Sequence, residues 1–241
     1  HLLTTGADWL RDEITSTTAY DVDSRDNTGV YVGYQGRFGT QRVQASVRND
    51  DNQQFGNQVT GNLGWGLGFG NGVQLTASAG TGFRAPSFND LYFPFSGNPD
   101  LLPEQSKTVN LGLSQYAEGW NWTFNAYETR IDDLVALDAN WMPGNIEEAR
   151  IRGAEATFAT SLAGFDLSTQ LSHTDPRNRT TGANDGNLLP RRSRNTARVD
   201  IDRAFGAFRV GATGFGASHR FDNAANSVRL SGYGTLDLRL E

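Results

Sequence analysis

The sequence predicts an all-β fold, a transmembrane antiparallel up-and-down β-barrel of about twelve strands, and three features carry that expectation. Short segments alternate apolar and polar residues with period 2, the pattern of a strand whose two faces meet different surroundings. Tight turns centred on Gly39, Gly70-Asn71-Gly72, Glu118-Gly119, Ala163-Gly164 and Gly206 alternate with longer polar excursions at roughly 12–27, 49–57, 84–106, 131–146, 174–190 and 217–227. Outer-membrane barrels sort their connections in this way, with short periplasmic turns and long extracellular loops, whereas a soluble sandwich has no reason to. Finally, opposite charges recur along the polar faces, Arg198 with Asp200 and Asp202, and Asp237 with Arg239. An Arg facing lipid at mid-membrane costs about 2–4 kcal/mol, so these residues are expected to face the lumen.

Taken in order, strands are expected over 1–11 and 28–38, then over 42–48, where Val43, Ala45 and Val47 oppose Arg42, Gln44, Ser46 and Arg48. Segment 57–69 leads into the glycine series Gly66, Gly68, Gly70, Gly72. Its spacing of two, with Leu67 and Phe69 between, is that of a strand thinned on one face. No helix follows, as a phosphate-cradling loop requires. In 73–83, Val73, Leu75, Ala77, Ala79 and Phe83 oppose Gln74, Thr76, Ser78, Gly80 and Gly82. Segment 106–116 is followed by the clearest alternation, over 119–130, with Trp120, Trp122, Phe124 and Ala126 against Asn121, Thr123 and Asn125. Segments 146–159, 164–172, 196–203, 207–216 and 228–241 complete the set; Phe165, Leu167, Thr169 and Leu171 mark one face of 164–172, and Ala197, Val199 and Ile201 one face of 196–203. No segment of helical period competes with them. Aromatics fall near strand ends, at Trp9, Phe38, Trp65, Phe69, Trp120, Trp122 and Phe205, where interfacial girdles sit.

Neighbour-to-neighbour hairpins argue against a Greek-key sandwich. A sheet in lipid cannot leave an edge open, because each unpaired peptide group in hydrocarbon costs several kcal/mol. The twelve strands are therefore expected either to close on themselves or to be continued by others, and the second is favoured: residues 1–241 as part of a larger barrel.

Composition narrows the function. The 241 residues include no run near the roughly 18 apolar residues of a membrane-spanning helix. A mean hydropathy of −0.51 does not exclude strands that need only one apolar face. The absence of cysteine rules out disulfides and thiolate metal sites. A net charge of −6 argues against a basic nucleic-acid-binding surface. The histidines, His1, His173 and His219, form no recognisable catalytic set; His173 lies between Ser172 and Thr174 and near Asp175, but adjacent strand residues point to opposite faces. No enzymatic activity is expected.

Residues 81–106, Thr-Gly-Phe-Arg-Ala-Pro-Ser-Phe-Asn-Asp-Leu-Tyr-Phe-Pro-Phe-Ser-Gly-Asn-Pro-Asp-Leu-Leu-Pro-Glu-Gln-Ser, resemble a segment of the TonB-dependent outer-membrane receptors: Phe-Arg-Ala-Pro, then Leu-Tyr, then Gly-Asn-Pro-x-Leu-x-Pro-Glu-x-Ser. The stretch from Asn145 to Glu155 resembles that family's Asn…Arg…Gly-x-Glu strand. Within the family, Arg48 to Gly56, Asn27 to Tyr31 and Leu188 to Arg192 are most similar to the cobalamin (vitamin B12) receptors. The resemblance implies a barrel of 22 strands, a number known for plugged outer-membrane transporters, of which this chain would supply strands 9 to 20 without the plug domain. It implies an integral outer-membrane protein surrounded by lipid and lipopolysaccharide. Such a protein binds cobalamin at extracellular loops, imports it with energy supplied through TonB, and hands it to a periplasmic cobalamin-binding protein.

Arg191 matches the first Arg of the family's Leu-Leu-Arg-Arg stretch, a position from which the family contacts its ligand, and with Pro190 inserted either Arg191 or Arg192 is the counterpart; an Arg there would bond corrin amide oxygens or the nucleotide phosphate. Tyr92, Phe93 and Phe95 are the candidates for an apolar wall against a large ligand, the alternative being internal packing of a loop stiffened by Pro86, Pro94, Pro99 and Pro103. The family's ligand-holding Tyr would fall near Ala225, where this chain has none. Two oxygen-rich stretches, Asp21, Asp23, Asp26 and Asn27, and Asn49 to Asn52, lack the Gly and Glu of a Ca²⁺ loop. The family's Ca²⁺ loops would precede this chain, so no resident metal or covalent cofactor is expected from it. Two other functions stay open: a TonB-dependent siderophore receptor, and a passive porin-like channel closed by these twelve strands alone.

Overall fold

The computed structural model describes residues 1–138 and 140–241. Twelve antiparallel strands form one meandering sheet: β1 (Leu2–Glu13), β2 (Ser24–Phe38), β3 (Gln41–Asn52), β4 (Gly56–Gly68), β5 (Val73–Arg84), β6 (Glu104–Ala117), β7 (Trp120–Leu137), β8 (Pro143–Leu162), β9 (Phe165–Asn178), β10 (Asn195–Phe205), β11 (Phe208–Ala217) and β14 (Tyr233–Leu240). Each strand pairs with its sequence neighbour, and the ends of the sheet are β1 and β14. The short strands β12 (Arg220–Phe221) and β13 (Arg229–Leu230) make a separate hairpin in the loop before β14. A five-residue helix, α1 (Phe88–Tyr92), interrupts the loop between β5 and β6.

All five expected tight turns are present, and left-handed backbone makes them. Gly39, Gly72, Gly119, Gly164 and Gly206 have φ between 60° and 80°, and Asn71 and Ala163 join them at 62° and 54°. Positive φ at the turn matches the twist of the flanking strands, which glycine reaches without a Cβ penalty. All five lie at one end of the sheet. The opposite end departs from the sequence expectation. The excursions at 49–57 and 131–146 are largely strand, since β3 and β4 approach within three residues of each other and β7 and β8 run to Leu137 and from Pro143. Their backbone hydrogen bonds continue past the membrane, where polar side chains no longer mark one face. The expected strand at 228–241 splits into β13 and β14 at Ser231-Gly232.

Register assigns the two faces. Leu111 pairs with Ala126 and Leu113 with Phe124, Ala126 with Ala154 and Phe124 with Ala156, and Ala156 with Leu171. This continuous apolar face has no protein partner: Leu236, Leu238 and Leu240 keep 71%, 77% and 73% of their surface. Apolar side chains left bare in such numbers, in strands of this length, face lipid. Trp9, Phe38, Phe69, Trp120 and Phe205 are among the exposed aromatics. The opposite face carries ion pairs. Arg48 bridges Asp8 and Asp50 at 2.7 Å each, and Arg198 meets Asp200 at 2.7 Å. Arg239 pairs with Asp202 at 3.0 Å across the sheet rather than with Asp237, its neighbour two residues earlier.

Candidate ligand-binding site

The loop between β5 and β6, residues 85–103, is the centre of the long-loop end. Its first turn is set by a capping box: the Ser87 Oγ accepts from the Asp90 backbone N–H at 3.2 Å, and the Asp90 carboxylate accepts from the Ser87 N–H at 2.9 Å. Phe88 and Leu91 turn inward and are buried, as is Leu101. After α1 the chain doubles back tightly at Gly97, where a Cβ would stand 2.6 Å from the Leu91 carbonyl oxygen and 2.7 Å from the Phe93 nitrogen. Only glycine allows that approach.

Side chains from distant strands then fasten the loop on both sides. Arg25, only 8% exposed, donates to the Pro86 carbonyl at 3.1 Å and to Asp12 at 3.2 Å, and its guanidinium lies 5.1 Å from the Phe88 ring centroid. Tyr20 donates to the Asn89 side chain at 2.7 Å. On the other flank, Asn98 donates to the Pro143 carbonyl at 3.1 Å. Asn145 accepts from the Leu102 N–H at 2.9 Å and donates to the carbonyls of Leu102 and Asp133. Glu104 receives both the Arg84 guanidinium and the Val135 N–H, the latter at 2.9 Å. The loop is a strap fastened on both flanks, from Tyr20 and Arg25 on one side to Val135, Pro143 and Asn145 on the other.

Of the residues singled out from the sequence, Tyr92 and Phe93 belong to this strap. The Tyr92 hydroxyl accepts from Gln54 Nε2 at 2.7 Å, and Phe93 packs edge-on to Tyr20 with centroids 6.3 Å apart while keeping 43% of its surface. Phe95 stands fully exposed with φ of 68°. Arg191 sits elsewhere, in the loop between β9 and β10. Its N–H donates to the Phe221 carbonyl at 2.6 Å, its Nε to Asp222 at 2.8 Å, and its guanidinium lies 4.8 Å from the Trp141 ring centroid. That loop is tied to the β11–β14 connection by Asn226, which exchanges two 2.8 Å hydrogen bonds with the Leu188 backbone.

Arg192 is exposed, and desolvation, partly offset by Glu104, lowers its pKa from the usual guanidinium value. Its guanidinium has no hydrogen bond or ion pair among the described residues, whereas Arg191 is engaged with neighbouring loops. Two members of the second oxygen-rich stretch are engaged within the protein: Asp50 accepts from Asn27 at 2.8 Å, and Asn52 accepts from the N–H groups of Gln54 and Phe55. Sequence reasoning missed Arg25, Asn98, Glu104 and Asn145 as the fasteners. Three of these lie inside the family-like motifs, so the signal was present, but their pairing partners are more than 30 residues away.

Residues 1–241 match the family described as TonB dependent receptor-like, beta-barrel. The chain is 34% identical to a vitamin B12 transporter of Photobacterium profundum over 97% of its own length and 39% of the relative's. It is 37% identical to a vitamin B12 transporter of Vibrio vulnificus over 74% of its length and 29% of the relative's. It thus spans about two fifths or less of the curated relatives it matches. Among solved structures, the copper transporter OprC superposes with a TM-score of 0.80 at 17% identity, over 99% of this chain and 45% of that one. A ferric enterobactin receptor of Pseudomonas aeruginosa does so at 0.78 and 15%, over 99% and 43%.

Proposed function

The chain belongs to the TonB-dependent receptor β-barrel family, proteins of the Gram-negative outer membrane, and on that premise we propose that it is the ligand-facing part of an active cobalamin importer. In this reading residues 1–241 supply about half of a 22-stranded barrel. The plug and the segment that meets TonB are supplied by the rest of the protein. The observation that carries it is the identity to vitamin B12 transporters across nearly the whole chain, loops included.

The site chemistry is consistent with a large, amide-rich, phosphate-bearing ligand. Arg192 has donors without a hydrogen-bond partner among the described residues, free for a ligand's oxygens. Phe93 and Phe95 offer apolar area from the strap. Rigid fastening lowers the ordering cost of binding. TonB would supply energy, and a periplasmic cobalamin-binding protein would receive the cargo.

The test is equilibrium binding of cyanocobalamin to the full-length receptor in detergent, with ferric siderophores as competitors, followed by TonB-dependent uptake in cells. Saturable cobalamin binding that siderophores do not displace supports the reading. Displacement by a siderophore, or uptake independent of TonB, overturns it.

A further inference from the structure

An exposed tryptophan stands where three loops meet at the long-loop end. Trp141 belongs to the connection between β7 and β8 and keeps 59% of its surface. Asp138 shapes that connection: its carboxylate accepts from the N–H groups of Asn140 and Met142 at 2.7 and 2.9 Å, and its carbonyl accepts from the Trp141 N–H at 3.2 Å. Two residues on, the Pro143 carbonyl accepts the hydrogen bond from Asn98 of the strap. Trp141 therefore sits at the strap's flank, with the Arg191 guanidinium 4.8 Å over its ring centroid.

Both partners of that stack hold the left-handed backbone that bulky residues avoid, with φ of 64° at Trp141 and 61° at Arg191. Arg191 is pinned by the Phe221 carbonyl and by Asp222, and Asn226, at φ of 55°, ties the same two loops through the Leu188 backbone. An exposed cation–π contact contributes less than two left-handed residues bearing side chains cost. The stack thus does not account for the strain around it. Nor does burial, since Trp141 takes no part in the nearby apolar cluster of Leu134, Ala149 and Leu189. Strained backbone of this kind gathers at ligand clamps.

Shape and charge identify what fits. With a guanidinium on one face, the indole leaves the rest of its surface open as a flat apolar platform. Flat aromatic rings stack on such a surface in offset geometry, a match that aliphatic groups do not make. Arg192, next in the chain to Arg191, has donors with no partner among the described residues, suited to a phosphate. The corrinoid proposed above as cargo carries an aromatic base joined to a phosphate at one end, and amide-edged corrin elsewhere. Its nucleotide end is the part that matches an aromatic platform beside a free guanidinium.

We propose that Trp141 is a specificity-determining residue for the nucleotide end of the corrinoid: the aromatic base stacks on its open face, and Arg191 holds the indole from behind. The proposal rests on the cobalamin reading above. The test titrates full-length receptor in detergent with cyanocobalamin and with dicyanocobinamide, which keeps the corrin but lacks base and phosphate, and reads the equilibrium affinity for each. Wild type should hold cyanocobalamin the more tightly. Trp141→Ala should weaken cyanocobalamin binding about tenfold, the loss of one base–aromatic stack, while cobinamide binding and heat-modifiable migration on gels stay unchanged. Unchanged cyanocobalamin affinity, or an equal loss for both ligands, overturns the assignment to Trp141. Binding of neither corrinoid by wild type overturns the cobalamin reading itself, and the assignment falls with it. Should Trp141→Ala misfold, Trp141→Tyr, which keeps a ring, must retain the preference for cyanocobalamin while Trp141→Leu loses it; equal behaviour of those two overturns the proposal.

Discussion

Arg25 and Pro86 are joined by a 3.1 Å hydrogen bond from the Arg25 Nη1 to the Pro86 carbonyl, 61 residues apart in sequence and three strands apart in the sheet. The bond ties the end of β2 to the loop after β5 without any intervening strand pairing. With Phe88 against the same guanidinium, it turns a long loop into a fixed strap.

Arg25→Met should therefore free the strap while leaving the barrel folded. Removal of the buried cation breaks a charge-assisted bond worth about 1.5–3 kcal/mol. Limited proteolysis is expected to cut within 85–103 much faster than in wild type, with little change in the thermal unfolding of the strands.

Gly97→Ala tests the opposite flank of the strap by steric means. Its Cβ cannot fit between the Leu91 carbonyl and the Phe93 nitrogen without moving α1. Ligand affinity should fall by about tenfold or more, the effect of a misplaced binding element. Assembly into the membrane should be unaffected, as judged by heat-modifiable migration.

Arg191 and Arg192 should separate cleanly. Arg192→Gln removes donors that have no partner among the described residues, and cobalamin affinity is expected to drop roughly tenfold, one charge-assisted bond. Arg191→Gln releases the Asp222 and Trp141 contacts instead. Its main signature is faster hydrogen exchange in 218–232, with a smaller change in affinity.

The assignment of the two faces is checked by a pair of adjacent substitutions. Phe124→Arg places a cation in hydrocarbon and should cost about 2–4 kcal/mol in bilayer unfolding experiments. Asn125→Arg places it in the lumen and should cost little. Equal costs would mean that the lipid face has been assigned wrongly.

The strands and the tight turns were legible because each depends on local chemistry. Period-2 alternation at 120–126 and glycine at positive-φ turns need no knowledge of the rest of the chain. The long-loop ends of β7 and β8 were not legible. From Leu134 to Leu137 apolar residues follow one another without alternation, so 131–146 reads as loop although its backbone continues the ladder to Leu137 and Pro143. In the long loops, residues could be singled out from the sequence but their partners could not. Arg191 meets Trp141 and Asp222 from two other loops, contacts that no local pattern encodes.

The five tight reversals have a mechanical corollary. With nothing longer than Phe69–Gly72 between strands at that rim, these strands present no handle to a machine working from the periplasm. Traction applied there can act only on something held inside the wall, and the hydrogen-bonded ladder resists it as a stator resists its rotor. The tightly closed rim makes this part of the wall a fixed frame.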